Sequence, residues 1–313
     1  MIIIQTDILK TLSYFDIFRY PLTAEEIFLH RRIDYTENEL KHQLESLIID
    51  GQIYQNENFY SLINDPDLAL NRVNGNKRAV QQLKIAARSA RILSYFPFVT
   101  GIAISGSLSK NFSGENDDID FFIITAADRL WIARSFLHVF LKFAFLFKKQ
   151  KWFCLNYYID ETALLIPEQN TFTAIEIITL KPFYGNGIFD KFAAANEWTK
   201  QYFPYYFSNN QASPRINSNF FKKALEKIFS GRIGDRLDNW LMKITDARWQ
   251  KKVRRMQLNE RGIRLSMLVS KHFAKPDPQF FQPKILDTYA SNIKKIRHYD
   301  REKPDPLSVL LSE

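Results

Sequence analysis

The sequence predicts an α+β protein built from an acidic helical module with a hairpin, a mixed-sheet core, and a basic helical C-terminal region. Three observations predict it. Apolar residues recur at helical spacing between Ile8 and Ile48, with a short alternating stretch after them. From Ile102 to Asp160 the pattern reads strand, polar loop, strand, helix, strand. The charge also changes sign along the chain. Residues 1–63 hold ten acidic against five basic side chains, and residues 218–272 hold fourteen basic against five acidic. The expected organisation is therefore a helical module over 1–63, a linker and connecting helix over 64–97, an α/β core over 98–167 and a basic helical domain over 168–313.

Each element has its own local reason. Ile8, Leu9, Leu12 and Phe15 mark one face of a first helix. Thr23-Ala24-Glu25-Glu26 and Thr36-Glu37-Asn38-Glu39 each read as a capping box, which places two helix starts. The second of these helices carries Leu40, Leu44, Leu47 and Ile48 and stops at Gly51; QIYQNENFYSL then alternates around a turn at Asn56–Asn58, a hairpin. Residues 64–76, NDPDLALNRVNGN, have the Asp-Pro and Asn-Gly punctuation of a linker. A helix is expected from about Arg78 to Phe96, stopped by Pro97, and it leads into the strand that ends at Ile104.

A helix over Leu130–Lys149 carries Arg134, His138, Lys142 and Lys149 on a narrow stripe. Such a stripe suits a membrane surface. The preferred placement is a crossover helix against the sheet, because a βαβ unit requires one at this point. Its internal charges exclude a membrane span. KWFCLNYYIDET reads as the strand after the crossover, and from about Glu168 onward the pattern is mostly helical.

The chemistry concentrates in SGSLSKNFSGENDDIDFFIIT, Ser105 to Thr125. Asp118 and Asp120 lie on one strand and project together, since residues i and i+2 share a face, while Ile119 and Phe121 turn the other way into packing. Two carboxylates pointing the same way on a strand otherwise built for a core need a cation or several donors for company. Mg²⁺ suits them, as it binds one or two carboxylates and completes its octahedron with water and phosphate. Gly106 and Ser107 follow an apolar run and read as a strand-to-helix turn, whose backbone N–H groups suit phosphate. An isolated Asp-x-Asp is more often a solvated strand edge.

The composite of strand, Gly-Ser, a ten-residue spacer, Asp-Ile-Asp and an apolar strand end resembles the signature of the DNA polymerase beta-like nucleotidyltransferase superfamily. The resemblance covers the motif tightly and little else. It implies a nucleotidyltransferase-type mixed sheet core, with Gly106 and Ser107 on the phosphate-cradling pair, Asp118 and Asp120 on the metal-binding acids, and Lys110 reaching a phosphate. Mg²⁺ is the implied cofactor and a nucleoside triphosphate the implied partner. The family places a third acid on the next strand, and here the sequence departs from the pattern, with Asn156 at that position. Asn can ligate through its carbonyl but cannot take a proton. Asp160 substitutes for it only if the strand register differs. Three helices followed by a hairpin are similar to a winged helix-turn-helix domain. Its second capped helix holds Glu37, Glu39, Glu45 and Asp50 against Lys41 alone, so docking or dimerisation is expected ahead of DNA binding, which needs phosphate neutralisation.

Composition sets outer limits. The single cysteine, Cys154, excludes a disulfide framework and a cysteine-based zinc site, and the five histidines lack metal-ligand spacing. The opening MIIIQTDILK has no signal-peptide core, so a cytoplasmic location is expected. The densest basic tract, ARWQKKVRR at 247–255, is either a solvated helix face or an attractor for an anionic acceptor or the nucleotide phosphates. Two functions follow: Mg²⁺-dependent transfer of a nucleoside monophosphate onto an acceptor hydroxyl, or a nucleotide-binding regulator without turnover. The acceptor is open among a small molecule, a protein side chain and a nucleic acid end.

Overall fold

The structure, a computed structural model, describes residues 3–146, 150–206, 219–256, 258, 267–276 and 281–302. In chain order the first elements are α1 (Ile3–Phe15), α2 (Ala24–Leu29), α3 (Glu37–Ile49), β1 (Tyr54–Asn56), β2 (Phe59–Ser61), α4 (Asp67–Ser94), β3 (Val99–Ile104), α5 (Gly106–Ser109) and β4 (Asp120–Thr125). They are followed by α6 (Leu130–Leu146), β5 (Cys154–Asp160), α7 (Thr171–Ile178), β6 (Lys181–Tyr184), α8 (Ile188–Ala195), α9 (Phe220–Ile228), α10 (Gly231–Arg254), β7 (Met267–Val269), β8 (Phe273–Pro276) and α11 (Phe281–Glu302). The fold is α+β with a mixed sheet. The chain divides into two compact units, one comprising Met1–Asn74, Thr199–Phe207 and Phe280–Glu313, the other Gly75–Trp198 and Ser208–Gln279.

In the first unit both capping boxes form. Glu26 N donates to Thr23 Oγ1 at 3.3 Å while Thr23 N donates to Glu26 Oε2 at 3.0 Å. Glu39 N and Thr36 N make the same exchange at 3.2 and 2.7 Å. Ile8, Leu12, Leu40, Leu44 and Leu47 bury the facing apolar stripes. Gly51 takes φ +67°, which lets the chain turn out of α3 toward the β1–β2 hairpin. Leu22 adds an antiparallel bridge to Tyr60. α11 packs on α1, with Tyr289 edge-on to Tyr14 and its hydroxyl accepting from Arg32 Nη2 at 3.3 Å.

α4 corrects the expected linker. It begins at Asp67 rather than near Arg78 and runs straight through Asn74-Gly75. The Asp-Pro pair caps this helix: Asp67 N donates to Asp65 Oδ1 at 3.0 Å, and Pro66 stands beside the start. Gly75 is there for closeness. A Cβ on it would lie 2.2 Å from the Phe112 ring.

The second unit holds a six-stranded sheet in the order β6-β3-β4-β5-β8-β7. β4 and β5 are parallel, and α6 is the crossover between them; the other neighbours are antiparallel. One face of the sheet presents Ile102, Ile104, Phe121, Ile123 and Tyr158 to α4, α6 and α10. The other presents Ala103, Phe122, Ile124 and Ile159 to Ile188, Phe189 and Phe192 of α8. Three strands of this sheet come from residues 181–276, a region whose sequence reads as helical. They are three or four residues long, too short for an alternating pattern to declare itself.

α6 also corrects its expected basic stripe. Arg134 is buried, lying over the rings of Trp131 and Tyr158. Burial and then the neighbouring cations Arg134, Lys142 and Lys252 depress His138 to about 3. Lys149 lies outside the described residues. The α6 N-terminus is capped from α10, where Asp238 Oδ1 accepts from Ile132 N at 2.9 Å. Among the described residues, no helix is long and apolar enough to cross a membrane.

Candidate functional site

The site is assembled where β3 ends and β4 begins. Ser105 N donates to Asp120 O at 3.0 Å, which locks the end of β3 beside the start of β4. The chain then turns at Gly106, with φ +68°, into the single turn of α5. Two constraints select glycine here. The left-handed backbone disfavours a side chain, and a Cβ would meet Asp120 Oδ2 at 2.8 Å.

The spacer between Ser107 and Asp118 is tied down by its own side chains. Ser107 Oγ donates to Asp117 Oδ2 at 3.1 Å, and Gly114 N donates to the same oxygen at 2.8 Å. Ser113 N donates to Gly75 O at 3.2 Å, and Arg78 Nε to Ser113 O at 2.8 Å. The loop is thereby fastened to α4.

Asp118 precedes β4 and is half-buried, as is Asp120; Ile119 between them is fully buried. Burial, above all, raises the Asp120 carboxyl to about 6. The thiol of Cys154, its partner across the β4–β5 ladder, lowers it, and the nearby charges of Asp118, Glu176 and Asp117 raise it again. Lys110 Nζ donates to Gly106 O at 3.1 Å and pairs with Glu176 Oε1 at 2.8 Å. The structure thus brings Gly106, Ser107, Lys110, Asp118 and Asp120 into one neighbourhood.

Two residues of this neighbourhood carry no motif in the sequence. Asp117 holds the spacer, and only its place three residues after Gly114 signals a turn. Glu176 is the lone acid of α7, TFTAIEII, and a single charge in so apolar a helix is the one available signal. Lys181 stands close by and donates to Asn111 Oδ1; burial and Lys110 lower its pKa.

No family model, no curated protein and no solved structure matches this chain.

The expected third position divides into two outcomes. Asn156 lies in β5, but its side chain is outside the described residues. The β4–β5 ladder passes from Phe121↔Leu155 to Phe122↔Tyr157, so β5 spends one more residue than β4 over this step. That extra residue inverts the parity on which Asp160 had counted as a substitute. Asp160 pairs with Thr125, at the far end of β4 from Asp120, and follows Ile159 onto the opposite face.

Asp160 has other work there. Fully buried, its Oδ1 accepts from Thr162 N at 3.0 Å and Thr162 Oγ1 at 2.5 Å. Its Oδ2 accepts from Asp128 N at 3.1 Å and lies 2.9 Å from His272 Nδ1. Among the described residues, Asp128, Asp160 and His272 form the one set of three such side chains with ligand atoms within 4.8 Å. Asp160 already has donors on both oxygens, and Lys271 pairs with Asp128 at 2.5 Å. The set closes a loop end rather than presenting open ligands.

Proposed function

We propose that the chain is a Mg²⁺-dependent nucleotidyltransferase of the DNA polymerase beta-like type, moving a nucleoside monophosphate from a nucleoside triphosphate onto an acceptor hydroxyl. One observation carries this reading: the left-handed Gly106 turn packs directly on Asp120, with Asp118 beside it and Lys110 reaching back over the turn. The residues fit a hard dication. Asp120 is raised by burial and by three neighbouring carboxylates, the state that a doubly charged ion relieves. Asp118 and Asp120 would hold Mg²⁺, which when bound supplies charge neutralisation for the triphosphate.

In this reading the acceptor oxygen forms a bond to the α-phosphorus, the bond from that phosphorus to the pyrophosphate oxygen breaks, and the hydroxyl proton passes to solvent water. Gly106 admits the phosphates close to the backbone, Ser107 and Asp117 keep the turn in shape, and Lys110 contributes positive charge once released from or shared with Glu176. Such chemistry is largely positioning and neutralisation, so an asparagine in place of the third acid slows it without abolishing it.

The first unit reads as a winged-helix-like docking module. The order helix, bridge, helix, helix, hairpin supports that, and α3 exposes Glu37, Glu39 and Glu45 where a DNA reader needs cations. A second reading, a nucleotide-binding regulator, is favoured by the placement of Asp160 on the far face. The test is pyrophosphate release with each nucleoside triphosphate, Mg²⁺ and a panel of acceptors. Turnover that disappears in Asp118→Asn supports the transferase, and binding without release by the wild type supports the regulator.

A further inference from the structure

The C-terminal ends of α6 and α10 leave an unusual surface in the second unit. On α6, Val139, Phe143, Phe145 and Leu146 are 55, 59, 67 and 74 % exposed. Val139, Lys142, Phe143 and Leu146 follow i, i+3, i+4, i+7 spacing and so form one stripe. On α10 and its C-cap, the exposed Arg248, Lys251, Lys252 and Arg255 repeat that spacing with cations alone, and the exposed Met256 and Leu258 follow.

The two stripes belong together. α6 packs on α10, with Asp238 capping Ile132 at one end, and Lys252 lies near enough to His138 to depress its pKa alongside Lys142. Neither 139–146 nor 247–256 contains an acidic residue. The surface is therefore a strip of bare apolar side chains beside a strip of uncompensated positive charge.

Each possible occupant predicts a different composition. A nucleic acid would use the cations and leave the four apolar side chains of α6 in water. A second copy would set the same cations against each other. Anionic lipid matches both halves, because apolar side chains enter the boundary between headgroups and acyl chains while lysine and arginine meet lipid phosphate. We propose that these helix ends dock the second unit onto an anionic phospholipid bilayer, lying on its surface without crossing it.

The test is co-sedimentation of the full chain with vesicles of phosphatidylcholine alone and of phosphatidylcholine mixed with phosphatidylglycerol. Binding is expected to the mixed vesicles only, and to fall as salt is raised. A cation at such a surface is worth about fivefold in partitioning, so K142E/K251E/K252E is expected to lose about a hundredfold. F143S/L146S is expected to weaken binding with the cations intact. All five positions are exposed, and circular dichroism checks that both variants keep the fold. Equal binding to both vesicle types, or mixed-vesicle binding unchanged in either variant, overturns the proposal. So does lysine-dependent RNA binding, or self-association lost in F143S/L146S, in a chain that ignores vesicles.

Discussion

Asp120 and Asp160 are carboxylates on neighbouring strands, yet their surroundings give them opposite characters. Burial above all, and then the neighbouring charges of Asp118, Glu176 and Asp117, hold Asp120 up to about 6, a state that a bound cation would relieve. Asp160 has donors on both oxygens and is spent on holding Thr162, Asp128 and His272 together. Asp160→Asn replaces an acceptor with a group that meets those donors with donors of its own, and is expected to cost about 1–3 kcal/mol, read by urea unfolding at neutral pH. Its affinity for Mg²⁺-nucleotide is expected to stay at the wild-type level. Normal stability with lost turnover would instead make Asp160 the working base. The Gly-Ser turn and the Asp-Ile-Asp pair were legible because their spacing is local. Glu176 was not, since it reaches the same place from a helix more than fifty residues further along the chain.

At the scale of elements, legibility follows how much of the stabilising pattern lies within a few residues. Both capping boxes are reciprocal bonds across three residues, and both helices start where the Thr and Glu pairs place them. Thr36→Ala is expected to lower stability by about 1 kcal/mol in chemical denaturation, and Glu39→Ala added to it to cost little more, because the two bonds act as a unit. Independent, additive losses would contradict the box. Asn74-Gly75 reads as a break because glycine is costly in a helix, but the Phe112 ring that fills its place is a tertiary contact invisible from the local sequence. The short strands β6, β7 and β8 fail to announce themselves for the same reason: neighbouring strands, not their own periodicity, define them.

For the whole molecule, the sign change in charge along the chain was readable at once, whereas the division into units was not. α11 belongs with the N-terminal helices through Tyr289, which contacts Tyr14 and Arg32, and no composition shift marks that return. At this scale we propose that Gly106, Asp118 and Asp120 form one site for a metal-bound nucleotide. Titration calorimetry of the full chain with nucleoside triphosphates, with and without Mg²⁺, tests it most directly against Asp118→Asn and Asp120→Asn. Both variants are expected to lose Mg²⁺-dependent binding. Asp120→Asn is also expected to unfold no more easily than wild type at pH 7. A raised folded-state pKa makes the ionised group destabilising above about 6, and that advantage of the variant fades as pH falls toward 3.8. Mg²⁺-nucleotide affinity unchanged in both variants would contradict the assignment.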